Sequence, residues 1–274
     1  MKLVIVGHVD HGKSTLVGRL MSDTDSLPSG KLDFVKDICK RQGKEFEYAF
    51  LLDALEEEQD QGITIDTSQI FFNTKKRRYV IIDAPGHKEF LKNMVTGAAN
   101  AESALLLIDA HEGIQEQSRR HGYILKLLGL TQVAVVINKM DLVNYDPKIY
   151  NKIKSDYTKF LGSMGIEARE FIPVSAKLGV NIAQTSDKIP WYKGPSILQM
   201  LDQFTEKKIP NHLPFRFPVQ DVYKFDERRI ISGRVESGKV NLGDQLVFSP
   251  SNKVGVIKSI EAWSVDKQPK KAEA

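Results

Sequence analysis

Cysteine is nearly absent from this chain. Cys39 stands alone among 274 residues, so no intramolecular disulfide can staple the fold, which fits a reducing compartment. A single cysteine on a helix-like stretch reads as a small apolar side chain rather than a nucleophile. Long apolar runs are missing too. The richest, Ala104 to Ile108, falls far short of the ~20 residues that cross a bilayer. Met1-Lys2 leads straight into Leu3-Val4-Ile5-Val6-Gly7 rather than into a basic-then-apolar leader. Charge of one sign is scarce: 39 basic and 35 acidic residues leave +4. Three of those four charges lie beyond Leu213, where 11 basic residues face 8 acidic ones, among them Lys267, Lys270 and Lys271. That balance neither demands nor forbids a nucleic-acid partner, and a solvated mixed surface is the simpler reading. No internal repeat or low-complexity tract is present. The expectation is a soluble cytoplasmic protein without a membrane partner.

What is present alternates. Short β-branched runs at Leu3–Gly7, Ser68–Phe72, Tyr79–Asp83, Ala104–Asp109, Val133–Asn138 and Phe171–Val174 predict strands. Amphipathic stretches near Lys13–Met21, Phe90–Ala98, Gln115–Leu128, Pro147–Met164 and Ser196–Phe204 predict helices between them. Strands alternating with helices imply an α/β domain with a mostly parallel sheet covered on both faces. An additional, largely helical excursion lies between Ser22 and Gln61. The texture changes at residues 209–214, where two prolines bracket Asn211-His212-Leu213. Beyond this linker Phe215–Tyr223, Ile230–Glu236, Gln245–Phe248 and Val254–Trp263 read as strands of an antiparallel, barrel-like second unit over 215–274, after a first domain over 1–208.

The strongest local signal is Gly7-His8-Val9-Asp10-His11-Gly12-Lys13-Ser14, followed by Thr15. It matches the phosphate-loop pattern and sits where such a loop works, between a strand and a helix. Glycines let the backbone wrap a phosphate, and successive amides at the helix start supply positive potential. Lys13 would reach the β- and γ-phosphates, and the Ser14 hydroxyl would hold Mg²⁺. Asp83-Ala84-Pro85-Gly86-His87 closes another strand. There Asp83 can anchor the magnesium's water shell, and Gly86 can offer an unobstructed amide to a γ-phosphate. Asn138-Lys139-Met140-Asp141 follows a third strand. The Asp141 carboxylate can accept from both N1–H and the exocyclic amine of guanine, whereas adenine would leave it unpaired. Ser175-Ala176-Lys177 follows a fourth strand and would complete the base pocket. All four elements fall at carboxyl ends of strands, where open α/β sheets bind ligands. They predict binding of GTP and GDP with Mg²⁺.

These motifs resemble those of the translation-factor class of GTPases, and the likeness runs on through Gln61-Gly62-Ile63-Thr64-Ile65-Asp66. The resemblance implies that Thr64 completes the Mg²⁺ shell, that His87 orients the attacking water, and that GTP is hydrolysed. Two members of the class are alternatives. Gln61, the stretch Ile108-Asp109-Ala110 through Gln117-Ser118-Arg119-Arg120-His121, and Phe215–Gln220 look like the GTPase large subunit of bacterial sulfate adenylyltransferase. That likeness implies hydrolysis coupled to adenylyl transfer from ATP to sulfate on a separate small subunit. His11, where the sulfate enzyme usually carries a second Asp, looks instead like an elongation factor, whose partners are aminoacyl-tRNA and the ribosome. The sulfate reading is the expectation here, the elongation factor its alternative. The resemblance also implies a barrel that continues past Ala274, so the chain is expected to be a fragment.

Overall fold

The side chains of β1 (Lys2–Gly7) divide by parity. Leu3 and Ile5 enter one buried cluster, Val4 and Val6 another, as the period-two pleat requires of a strand covered on both faces. The computed structural model of the protein describes residues 1–52, 69–83, 101–206, 213–224, 228–262 and 267–273. Five further strands join β1: β2 (Gln69–Asn73), β3 (Arg78–Asp83), β4 (Ser103–Asp109), β5 (Val133–Asn138) and β6 (Ala168–Pro173). Their order is β2-β3-β1-β4-β5-β6. Every pairing is parallel except β2 with β3, so the sheet is the mostly parallel one expected, with one antiparallel edge.

Helices α1 (Lys13–Asp23), α3 (Glu116–Leu127), α4 (Pro147–Ser163) and α5 (Ile197–Leu201) pack on it, and α2 (Lys31–Arg41) lies in the excursion. α1 and α5 bring Leu16, Leu20, Ile197 and Leu201 to the first cluster, while α3 and α4 bring Leu125, Ile153 and Tyr157 to the second. Capping sets two helix starts. The Asp146 carboxylate accepts from Lys148 N at 2.8 Å with Pro147 in the first turn, and Ser196 and Gln199 form a reciprocal capping box. Trp191 is a packing anchor, its indole donating to Tyr145 O at 3.0 Å. Cys39 is buried beside Val35 and Leu51 in a satellite cluster under the excursion, the small apolar role expected of it. The helix expected at Phe90–Ala98, the excursion beyond Leu52, His212 and Trp263 lie outside the described residues.

Gly18 seats that excursion on α1. A Cβ at this position would overlap the Tyr48 carbonyl oxygen, a backbone atom that cannot swing aside. Gly18→Ala therefore gains helix propensity of about 1 kcal/mol but forces a backbone shift costing about 1–3 kcal/mol. The expected result is a lowered melting temperature by circular dichroism. An unchanged or raised value would show that the 48–52 segment is not held against α1.

The chain divides into two units, Met1–Glu206 and Lys207–Ala274. Among the described residues the second contains antiparallel pairs only: β7 (Val219–Lys224) with β8 (Arg229–Gly233), β10 (Gln245–Phe248) with β11 (Lys253–Val256), and β9 (Lys239–Asn241) with β12 (Lys271–Glu273). The strand expected from Phe215 begins only at Val219, after Pro218, which has no amide to give a ladder. The strand expected to reach Trp263 stops at Val256, where Ile257 N turns back to Asp244 O at 3.0 Å. β9 and β12 were not expected at all. Among the described residues no helix is long and apolar enough to cross a membrane.

Candidate nucleotide site

The ends of five parallel-sheet strands meet along one rim. Gly7 ends β1, Asp83 ends β3 beside Ile5, Asp109 ends β4 and Asn138 ends β5. Val174, just past β6, receives its amide bond from Ile137 O at 2.8 Å. Because β1 leads to neighbours on both sides, this rim is the switch point of the sheet, the place where such folds bind ligands.

The loop from Gly7 to Lys13 is shaped for an anion. Gly12 holds φ +86° and no side chain caps α1, so the leading amides of the helix face outward and supply the anion-binding end of the helix dipole. A Cβ on Gly12 would overlap the Asn138 side-chain amide, so glycine is required there both for its dihedral and for its lack of bulk. Asp10 also has positive φ (65°) and, like Val9, is exposed. The Lys13 ammonium donates to Gly7 O at 2.9 Å and His8 O at 3.0 Å, which keeps its charge over the loop. Ser14 is exposed and Thr15 half-buried in the first turn. These features fit a phosphate chain and a hydroxyl-ligated Mg²⁺. Thr64, Gly86 and His87 lie outside the described residues.

Asn138 joins the separate motifs into one body. Its side chain, 2% exposed, donates to His11 O at 2.9 Å and accepts from Ala176 N at 3.0 Å. The phosphate loop, the Asn-Lys-Met-Asp turn and the Ser-Ala-Lys loop are thus fixed to one amide. Asp141 is half-buried in a short 3₁₀ turn, Met140–Val143. Ser175 Oγ accepts from Leu178 N at 3.2 Å and holds the third loop. Lys177 is exposed, its ammonium 3.2 Å from Glu45.

One residue the sequence placed in the loop, His11, and two it assigned no role, Asp109 and His121, are buried around this site. The His11 ring is fully buried between Leu107 O (3.2 Å) and the Glu112 carboxylate (3.3 Å). Burial lowers its pKa against the pull of those acceptors. Asp109, 1% exposed, meets the Lys139 ammonium at 2.7 Å. Burial opposes its ionisation, but Lys139 and the His111 amide outweigh that and hold its pKa below the usual carboxylate value. His121 is 3% exposed with an unpartnered Nδ1. Its one available signal was the spacing Gln117, Ser118, His121, which places polar residues on the buried face of α3.

His121 yields a pH prediction. Burial, with added repulsion from Lys13, His8 and His11, pulls its pKa down to about 4. The native state keeps the ring neutral, while the unfolded chain takes a proton below about 6.5. The contribution is therefore intact above pH 6.5 and is lost as pH falls to 4, amounting to about 3 kcal/mol. Urea unfolding of the nucleotide-free protein should show that loss, and His121→Asn should lack it. Parallel pH profiles for the two proteins would contradict the assignment.

A six-stranded sheet with a phosphate loop after β1 and an Asn-Lys-x-Asp turn after β5 defines a guanine-nucleotide-binding P-loop protein. Residues 1–207 match the family of the elongation factor Tu GTP binding domain, and the chain belongs to that family. It is 44% identical over 265 residues to elongation factor 1-alpha of Methanosphaerula palustris, covering 95% of this chain and 62% of that protein. To elongation factor 1-alpha of Pyrococcus abyssi it is 42% identical over 268 residues, with the same coverage. The solved structure of sup35 complexed with GDP is similar at 26% identity and a TM-score of 0.54, over 99% of this chain and 60% of that one. The chain thus spans less than two thirds of the curated relatives it matches. Those relatives are elongation factors, so the expectation of a sulfate adenylyltransferase large subunit with its small-subunit partner is corrected. Gln61, residues between Ile108 and His121, and Phe215–Gln220 carried that expectation, and likeness over nearly the whole chain outweighs them.

Proposed function

We propose that the chain is the GTP-binding and GTP-hydrolysing part of a cytoplasmic translation elongation factor that carries aminoacyl-tRNA to the ribosome in its GTP state. The observation that carries this reading is the Asn138 bridge, which presents a phosphate loop and a guanine pocket as one preassembled surface. Identity of 41–44% to elongation factors 1-alpha supports the translational role. Lys13 and the amides opening α1 bind and orient the phosphates and offset their charge. Mg²⁺, when bound, would supply further charge neutralisation, with Ser14 as a ligand and Thr64 and Asp83 as the others the resemblance implies. Asp141 accepts from the guanine edge, and Ser175, Ala176 and Lys177 close the pocket around it. His87 aligns the water.

Equilibrium titration with fluorescent GDP and GTP, in the presence and absence of aminoacyl-tRNA, tests the reading. Saturable binding of both nucleotides, with tRNA retained by the GTP form and released by the GDP form, is the expected result. Equal tRNA binding in both forms would remove the delivery role, and failure to bind guanine nucleotides would remove the whole reading. His87→Ala should lower turnover about a hundredfold while nucleotide affinity changes less than about threefold, because a water-orienting group acts mainly in the transition state. Parallel loss of affinity would make His87 structural.

A further inference from the structure

A phosphate loop and a base-reading turn need something to hold the wall between them, and β4 supplies it. Asp109 closes β4 and is almost fully buried. Its two carboxylate oxygens serve different loops. Oδ2 pairs with the Lys139 ammonium at 2.7 Å, in the turn that precedes Asp141. Oδ1 accepts from His111 N at 2.7 Å and Glu112 N at 3.3 Å, so it shapes the turn that puts the Glu112 carboxylate on His11 Nε2. Backbone bonds reinforce both sides: Ala110 N donates to Asn138 O at 2.8 Å, and Gly113 N to Asp109 O at 2.9 Å. Lys139 needs such a hold, because it sits at a positive φ of 59° at the start of the 3₁₀ turn, a conformation that non-glycine residues keep only when their surroundings impose it.

We propose that Asp109 is a positioning residue for nucleotide binding, one buried carboxylate that fixes Lys139 on the base side and, through the 109–113 turn, His11 on the phosphate side. It touches neither base nor phosphate. It acts by keeping two binding loops at a fixed separation, so its loss raises the dissociation rates of GDP and GTP alike rather than favouring one state. This rests on the guanine-nucleotide reading above.

The variants separate its two oxygens. Asp109→Asn keeps an acceptor for the His111 and Glu112 amides but removes the charge facing Lys139; Asp109→Ala removes both. Stopped-flow displacement of fluorescent GDP and GTP should show dissociation about tenfold faster in Asp109→Asn and faster still in Asp109→Ala. In a Lys139→Met background, Asp109→Asn should add less than twofold, because its route to the nucleotide has already been cut. Thermal melting of the nucleotide-free proteins is the second measurement. A purely structural Asp109 would lower the melting temperature while leaving wild-type dissociation rates, and that result overturns the proposal. So does an equal effect of Asp109→Asn with and without Lys139. If the unaltered protein binds no guanine nucleotide, the functional reading fails first. A melting-only coupling between Asp109 and Lys139 would then assign the pair to folding, against the proposal.

Discussion

Replacing Asn138 with alanine should abolish useful nucleotide binding, weakening GTP and GDP by about a thousandfold, ~4 kcal/mol. The side chain is enclosed and makes two long-range hydrogen bonds, to residues 127 and 38 positions away. Truncation leaves the His11 carbonyl and the Ala176 amide without partners in a buried place, at about 1–3 kcal/mol each. It also opens a void against Gly12, whose missing Cβ is what lets the amide approach. Part of this cost falls on folding and part on binding, and isothermal titration beside thermal melting divides them. Asn138→Asp refines the test. It keeps an acceptor for Ala176 N but loses the donor to His11 O, so it should loosen the phosphate loop while sparing the Ser-Ala-Lys loop. Should Asn138→Ala melt early yet bind GTP with normal affinity once folded, the bridge would be a staple of the fold with no part in preassembling the site.

The second large effect is a change of base preference. Asp141 presents a carboxylate at the end of the β5 turn, partly buried and opposite the Ser-Ala-Lys loop that Asn138 ties in. In the proposed guanine pocket both its oxygens accept. In Asp141→Asn one position becomes an N–H₂ that faces a donor, and a buried mismatch of this kind is worth several kcal/mol. GTP affinity should fall by about three orders of magnitude, ~4 kcal/mol. Xanthosine triphosphate, which replaces guanine's exocyclic amine with a carbonyl, should gain affinity because the new amide can donate to it. Competition of the two nucleotides for one fluorescent probe measures both changes together. If the variant weakens both nucleotides equally, Asp141 shapes the turn and does not read the base.

How much of this site was legible depended on how local each signal was. The phosphate loop is contiguous, and its meaning comes from two neighbours in sequence, a strand before and a helix after; both are where the periodicity placed them, β1 to Gly7 and α1 from Lys13. The strands β1, β4 and β5 were equally plain, because burial on both faces writes an unbroken apolar run. In the second unit the pattern misled at the margins. β12 is drawn from Lys271-Ala272-Glu273, a stretch with no strand propensity, and exists through its pairing with β9. The choice between two kinds of relative was misjudged for a related reason. It rested on Gln61 and two short stretches, and such local features drift more readily than the whole pattern of a chain.

The sequence by itself determined the layered α/β architecture and the carboxyl-end rim, and it named the residue types proposed to meet phosphate, magnesium and guanine there, because each is encoded by spacing within a few residues. Only the tertiary structure decided what holds those residues in place. Asn138 reaches His11, Glu112 reaches the ring of His11 across 101 positions, Asp109 pairs with Lys139, and an ordinary-looking His121 is enclosed near Lys13. None of these pairs shares a periodicity or a motif. The first three arise because parallel strands far apart in sequence end side by side, and a buried polar group there finds its partner among whatever the neighbouring strand end supplies.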